Sequence, residues 1–219
     1  MKVAFIGYGS MTRALAGRWA ADHDLFIGGR DPDKAAALAD DLGDGTAHGD
    51  SAAAVAFGEV VVLATPHAAA LGVIEGVGPE AFAGKTLVDI NNPVPGYADG
   101  DFTVATYAGK SLAEALADAA PGAHVVKAFN CCQAKVWEMD PPEFDGRRLV
   151  TPLCGDNPEA KQHVAQLIEA LGSEPLDFGE LKYAHQLECV AGLVIKLLFS
   201  SRDPHTVFNL IQPEVKPIA

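Results

Sequence analysis

Basic residues are scarce in this chain. Sixteen Lys and Arg stand against 29 Asp and Glu, a formal net charge of −13. That balance argues against nucleic acid and against anionic membranes as partners. Cysteine is also scarce. Cys131, Cys132, Cys154 and Cys189 show no Cys-x-x-Cys spacing, which excludes a disulfide framework or a zinc-ribbon pattern and suits reduced thiols in a cytoplasmic protein. No metal site is expected from them. Long hydrophobic runs are missing: the longest, residues 190–199, is too short to span a bilayer and carries Lys196. No charged segment followed by an apolar stretch opens the chain, so no signal peptide is expected. Internal repeats and low-complexity linkers are absent too.

What is present is apolar and periodic. Hydrophobic residues make up 49% of 219, enough for one substantial core, or a domain with an extension. Residues 2–30 organise the rest. Lys2-Val3-Ala4-Phe5-Ile6 reads as a short buried strand, Gly7-Tyr8-Gly9-Ser10-Met11-Thr12 as a glycine turn opening a helix, and Asp24-Leu25-Phe26-Ile27-Gly28-Gly29 as a second strand. This strand–turn–helix context is what a dinucleotide fingerprint requires. Gly7 permits the tight turn and Gly9 the close approach of a pyrophosphate, with helix N–H groups aimed at the anion. Thr12 stands where a third Gly or Ala is usual, and its branched side chain is expected to hold helix and strand slightly apart.

The tip of the second strand selects the nucleotide. An NAD site usually places Asp or Glu there, whereas this chain has Gly28-Gly29-Arg30 with Lys34 four residues on. A guanidinium suits a 2′-phosphate, which it grips with paired charge-assisted hydrogen bonds. NADP is therefore preferred over NAD. The competing reading pairs Arg30 with Asp31 or Asp33 on the surface. Asp31-Pro32 itself reads as a helix start, cap followed by first-turn proline.

Strand and helix then alternate. Helices are expected over 34–42, 51–57, 68–76, 111–120, 133–139 and 158–171. Strands are expected over 46–48, 59–64, 86–90, 124–130, 149–154 and 175–178. Ser111 with Glu114 forms a capping-box pattern. The stretch 96–106 reads as an irregular, mobile flap. The pattern implies an α/β fold: a Rossmann-type doubly wound, mostly parallel sheet. Residues 1–180 form the NADP-binding domain and 181–219 a C-terminal helix and tail that pack on the domain or on a second subunit. The helix over 181–199 is apolar nearly all round, which predicts burial on several sides, and a subunit interface is at least as good a reading as an internal clamp. The tail from Arg202, with Val207, Phe208, Leu210, Ile211 and Val215, reads as an arm lying over something.

Together these pieces resemble the NADP oxidoreductases that include the deazaflavin (coenzyme F420)-dependent NADP reductases. The matching stretches are Val3 to Met11, Ile27-Gly28-Gly29-Arg30 with Lys34, and Val62-Leu63-Ala64-Thr65-Pro66-His67. Further on are Val88-Asp89-Ile90-Asn91-Asn92-Pro93, Val125 to Asn130, Leu153 to Asn157, and Pro175 to Leu181 with Gln186-Leu187-Glu188. The same pieces are similar to the NADPH-binding reductase domain of the STEAP metalloreductases. One relative passes hydride to a deazaflavin, the other to an ordinary flavin.

The resemblance implies NADP over Gly7, Tyr8, Gly9, Ser10, Met11 and Thr12, with Gly29, Arg30 and Lys34 at its ribose phosphate. The cleft would be bordered by the strand ends Ala64, Thr65, Pro66, His67, Asn91, Asn92, Pro93, Ala128 and Asn130, with the electron acceptor stacked on the nicotinamide. Hydride transfer between two rings needs no nucleophile, and its main demand is positioning. His67 and Asn130 are the catalytic candidates. His67 either borders the nicotinamide or faces solvent at a helix start. Asn130 either binds the cofactor or acceptor or closes a turn. Cys131 and Cys132 read as packing thiols rather than redox partners, because no activating cation is visible. His185 and Glu188, nearly one helical turn apart, are expected to pair.

The reading is an NADP(H)-dependent oxidoreductase with a deazaflavin, FMN or FAD as second substrate, forming a homodimer through its C-terminal helix. The alternatives are an NADPH-dependent reductase of a small C=O or C=N compound, with His67 as proton donor, and a non-catalytic NADP-binding, redox-sensing protein.

Overall fold

The computed structural model describes residues 1–43 and 45–200. The proposed arm from Arg202 lies outside them. Alternating strand and helix give β1 (Lys2–Ile6), α1 (Ser10–Trp19), β2 (Asp24–Gly28), α2 (Pro32–Leu42), β3 (Ala47–Gly49), α3 (Ser51–Phe57), β4 (Val60–Leu63), α4 (Ala70–Val77) and β5 (Thr86–Asp89). After a long irregular connection come α5 (Leu112–Ala119), β6 (His124–Lys127), α6 (Ala134–Trp137), the two-residue strands β7 (Glu143–Phe144) and β8 (Arg147–Arg148), β9 (Val150–Gly155), α7 (Pro158–Ala170), β10 (Glu174–Asp177) and α8 (Ala184–Phe199).

The main sheet runs β3-β2-β1-β4-β5-β6-β9-β10. Every neighbouring pair is parallel except β6 with β9. The first six strands thus take the order of a dinucleotide-binding sheet, and β1 and β4 flank the point where the winding reverses. This is the Rossmann-type α/β fold that the alternation predicts.

Two-residue periodicity sorts the central strands between two cores. Val3 and Phe5 of β1, with Val60 and Val62 of β4, join the cluster beneath α1, α2 and α7. Ala4, Ile6, Val61 and Leu63 join the cluster beneath α3, α4 and α5. Strands covered on both faces must be apolar at every position, which is why these runs show no polar alternation. Trp19 anchors the first layer. It is fully buried, stacks on Phe5 at 5.6 Å, meets Phe129 edge-on at 5.6 Å, and donates its indole N–H to the Leu167 carbonyl at 3.0 Å. An aromatic side chain buried this way contributes about 1.5–3 kcal/mol.

Caps set the helix starts. Asp31 accepts from the Lys34 backbone N–H with Pro32 at the first position, so α2 begins two residues before the apolar pattern does. Ser111 and Glu114 complete the expected capping box, and Asn157 caps α7. Two expectations fail. The segment after β10 opens with a 3₁₀ turn, Leu181–Tyr183, before α8. And α8 is not buried on all sides. Ala184, Leu187, Glu188, Ala191 and Gly192 face inward, whereas Val190 and Leu193 are 43% and 45% exposed. The inward face of α8 packs on α5 and β9, and its outward face is left open among the described residues.

Candidate active site

The site grows from the switch point between β1 and β4. Gly7 has φ +125°, and a Cβ there would come within 2.2 Å of the Ala64 carbonyl oxygen. No other residue type fits without moving β4's end. Gly9 is different, because a Cβ built on it meets nothing within 4 Å. The space over Gly9 is open, as close approach of a pyrophosphate demands. Gly9 also occupies the cap position of α1 with no side-chain cap, so the helix's leading N–H groups face that space.

Thr12 is fully buried, and its hydroxyl donates to the Gly7 carbonyl at 3.0 Å. The branched side chain is accommodated by a hydrogen bond that fixes the turn itself. Tyr8 lies against the tip of β2, and a Cβ on Gly29 would meet its ring at 2.6 Å. Gly29 is thus required for the ring to sit there.

Arg30 is exposed just beyond β2 and makes no ion pair among the described residues. Asp31, its natural competitor, is engaged by Lys34 at 3.3 Å and by the Lys34 backbone N–H, which hold its carboxyl below the usual range. The guanidinium is left for an external anion.

Beyond β4, Thr65 and His67 each carry a buried side-chain atom, Oγ1 and Nδ1, with no hydrogen-bond partner among the described residues. A buried polar atom without a partner costs about 1–3 kcal/mol, so two at one strand end mark a place where a ligand supplies partners. Burial lowers the His67 imidazole below its ordinary value. That shift favours its neutral form.

From the α1 N-terminus a cavity of about 460 Å³ runs along the strand ends to α8. Met11, Ile90, Phe129, Val194, Ile195 and Leu198 give it apolar walls, and Asn92, Asn130 and Gln133 supply amides. Among the described residues no Asp, Glu or His lines it, while Ser10 and Lys135 do. His67, one of the two catalytic candidates, is not among its lining residues, whereas Asn130 is.

Residues 2–93 match the family described as NADP oxidoreductase, coenzyme F420-dependent. A protein described as an F420-dependent NADP reductase from Arthrobacter sp. FB24 superimposes with a TM-score of 0.81 at 29% identity, covering 91% of this chain and 94% of that one. Protein SMa0349 of Sinorhizobium meliloti superimposes with a TM-score of 0.73 at 32% identity, covering 84% and 88%. The family match thus lies on the N-terminal strands and the glycine turn, and the shared fold with the Arthrobacter protein runs over nearly the whole chain. The chain is also 33% identical over 206 residues to metalloreductase STEAP3 of Rattus norvegicus, a match covering 93% of this chain but 38% of STEAP3. The chain thus spans well under half of the curated relatives it matches.

The asparagines named from the sequence form two adjoining sets of hydrogen bonds. Asn91 donates to the Leu63 carbonyl and to Asp89. Asn92 donates to the Asn130 carbonyl at 2.7 Å, and Asn130 donates to Asn92 Oδ1 and to the Leu187 carbonyl, both at 3.0 Å. Their amide N–H groups therefore stitch β4, β5, β6 and α8 together at the cleft. Pro93 and Ala128 are buried backbone of the same strand ends.

Beneath those hydrogen bonds lies a cluster the sequence reading passed over. Lys127, Asp89 and Glu188 are fully buried, with the ammonium 2.8 Å from Asp89 and 3.2 Å from Glu188, and donating to the Asn91 carbonyl. Burial pulls the Lys127 ammonium down, but the two carboxylates outweigh it and hold its pKa above the ordinary value. Burial pushes the Glu188 carboxyl up. The available signal was position: Asp89 and Lys127 each end a strand, where a charge has no place in a buried run without partners.

The thiols fit a packing role. Burial raises Cys131 and drives Cys132 and Cys154 up to about 12, so all three stay protonated at neutral pH. His185 does face Glu188, at 3.8 Å, a looser pairing than expected. Among the described residues, no helix is long and apolar enough to cross a membrane.

Proposed function

We propose that this chain transfers hydride between NADP(H) and a ring-shaped acceptor, a deazaflavin of the coenzyme F420 type or a flavin (FMN or FAD). The carrying observation is the cavity beside α1, roomy, mostly apolar, and lined among the described residues by no carboxylate or imidazole. Such a pocket suits flat rings, and its titratable lining among the described residues is confined to Lys135 and the thiols of Cys131 and Cys132.

Each residue's task follows from its place. Gly7 fixes the turn, the α1 N–H groups over Gly9 donate to the pyrophosphate, and Arg30 with Lys34 donates to the 2′-phosphate. When bound, NADPH supplies the hydride. Thr65 and His67 offer hydrogen bonds at the β4 end. Asn92 and Asn130 keep the cleft's polar rim in register with α8. Holding two reactants face to face contributes up to about 7–11 kcal/mol of barrier lowering. The family name supports the deazaflavin and the resemblance to STEAP3 leaves room for a flavin. We also place a homodimer contact at the C-terminal end of α8.

The test is anaerobic stopped-flow mixing of the protein and NADPH with coenzyme F420, FMN or FAD in turn. Rapid NADPH oxidation by at least one ring acceptor, little changed in His67→Ala, is the expected result. Silence with all three, alongside turnover of a ketone or imine that His67→Ala abolishes, would transfer the assignment to the small-substrate reductases. Silence with every acceptor, alongside tight NADPH binding, would leave a binding protein.

A further inference from the structure

On the face of α8 turned away from the hydride cavity, a second cavity of about 420 Å³ opens between the helix and the irregular segment before α5. Phe102, Val104 and Thr106 form one wall, and His185, Cys189 and Lys196 line the other. The proposed function uses none of these side chains.

His185 and Cys189 are four residues apart on the helix, so their side chains project side by side. The Cys189 Sγ and His185 Nε2 atoms are 3.5 Å apart. A tetrahedral ion bound to sulfur at about 2.3 Å and to nitrogen at about 2.0–2.1 Å holds those two atoms about 3.6 Å apart. The pair therefore stands at chelating distance without rearrangement.

The other imidazole nitrogen gives an independent observation. His185 Nδ1 and Glu188 Oε2 are both buried and without a hydrogen bond of good geometry, and they face each other at 3.8 Å. The Leu112 backbone N–H also approaches this carboxylate, while its other oxygen is held by Lys127 at 3.2 Å. A metal-ligating histidine characteristically donates its second N–H to a carboxylate, which fixes the tautomer and raises ligand basicity. Glu188 is fully buried and is the carboxylate that faces His185 Nδ1, beyond hydrogen-bond distance.

We propose that His185 Nε2 and Cys189 Sγ chelate a soft metal ion of the Zn²⁺ class, with Glu188 orienting the imidazole. No three His, Cys, Asp or Glu side chains converge among the described residues, so water completes the coordination from the cavity. Binding replaces the thiol S–H bond by a sulfur–metal bond and releases one proton to solvent. Burial and the neighbouring Glu188 hold the free thiol protonated, and a bound cation offsets both effects.

The experiment is titration of the reduced full-length protein with Cd²⁺ alone, followed by the ultraviolet thiolate-to-metal charge-transfer band. One ion per chain is expected, with the band lost in Cys189→Ser and the affinity lowered at least tenfold in His185→Gln. Glu188→Gln should weaken binding by about 10–100-fold, the range for a lost orienting partner. Cys189 is exposed, so circular dichroism and NADPH affinity of Cys189→Ser should match the parent and exclude misfolding. A band that survives in Cys189→Ser, an affinity indifferent to His185→Gln, or no band in the parent protein would each overturn the site.

Discussion

Arg30 is the residue on which cofactor choice turns. It lies past the β2 tip, unpaired among the described residues, with Lys34 engaging Asp31 instead. Replacing Arg30 by Ala should weaken NADPH binding by about 1.5–3 kcal/mol, the range for hydrogen bonds to charged groups. NADH, which lacks the 2′-phosphate, should bind nearly as before. Fluorescence titration of both nucleotides decides this, and equal losses would refute the phosphate assignment. Much at this scale was legible beforehand. Gly7, Gly9 and Arg30 carry conformational or charge demands that follow from residue type. The Thr12 hydrogen bond was not legible, because sequence shows a branched side chain's bulk but not the carbonyl its hydroxyl finds.

At the scale of elements, the buried Lys127–Asp89–Glu188 cluster joins the ends of β5 and β6 to α8. Lys127→Met leaves two carboxylates buried without their ammonium, and breaking such a cluster costs about 3–5 kcal/mol. The folded Lys127 pKa lies above its ordinary value of 10.5. Its stabilisation is therefore fully present below the ordinary lysine range and is lost as pH rises through the raised folded value. Urea unfolding across alkaline pH should show that loss in the parent protein and not in Lys127→Met. Identical alkaline slopes in the two proteins would mean that the cluster contributes no such linkage. The cluster was not legible because its members lie 38 and 61 residues apart, and only the folded sheet brings them together. The β7–β8 hairpin went unseen for another reason. Its Asp145-Gly146 turn is a good hairpin signal, but Glu143, Arg147 and Arg148 lack the apolar alternation that usually draws attention to strands. The alternation of strand and helix was readable from short-range periodicity, and the caps from residue type.

At the scale of the whole molecule, net charge and exposed apolar surface oppose each other. Tyr97, Leu198 and Phe199 are 46%, 40% and 60% exposed, and the two rings meet at 5.5 Å. An apolar cluster of this kind at the end of α8 favours self-association. Each chain, however, brings a formal charge of −13, so two copies repel over distances comparable with the Debye length. That length shrinks from about 30 Å at 0.01 M salt to about 8 Å at 0.15 M. Salt screens the repulsion and leaves apolar burial intact, so the homodimer should tighten as salt rises. A dimer held mainly by surface ion pairs would loosen instead. Sedimentation velocity at the two salt concentrations reads the difference directly. The parent protein should shift toward dimer at the higher concentration. Phe199→Glu, which adds a charge to the centre of the contact, should remain monomeric at both. A parent protein that is monomeric throughout would remove the dimer, and a Phe199→Glu variant that dimerises normally would move the contact to another face.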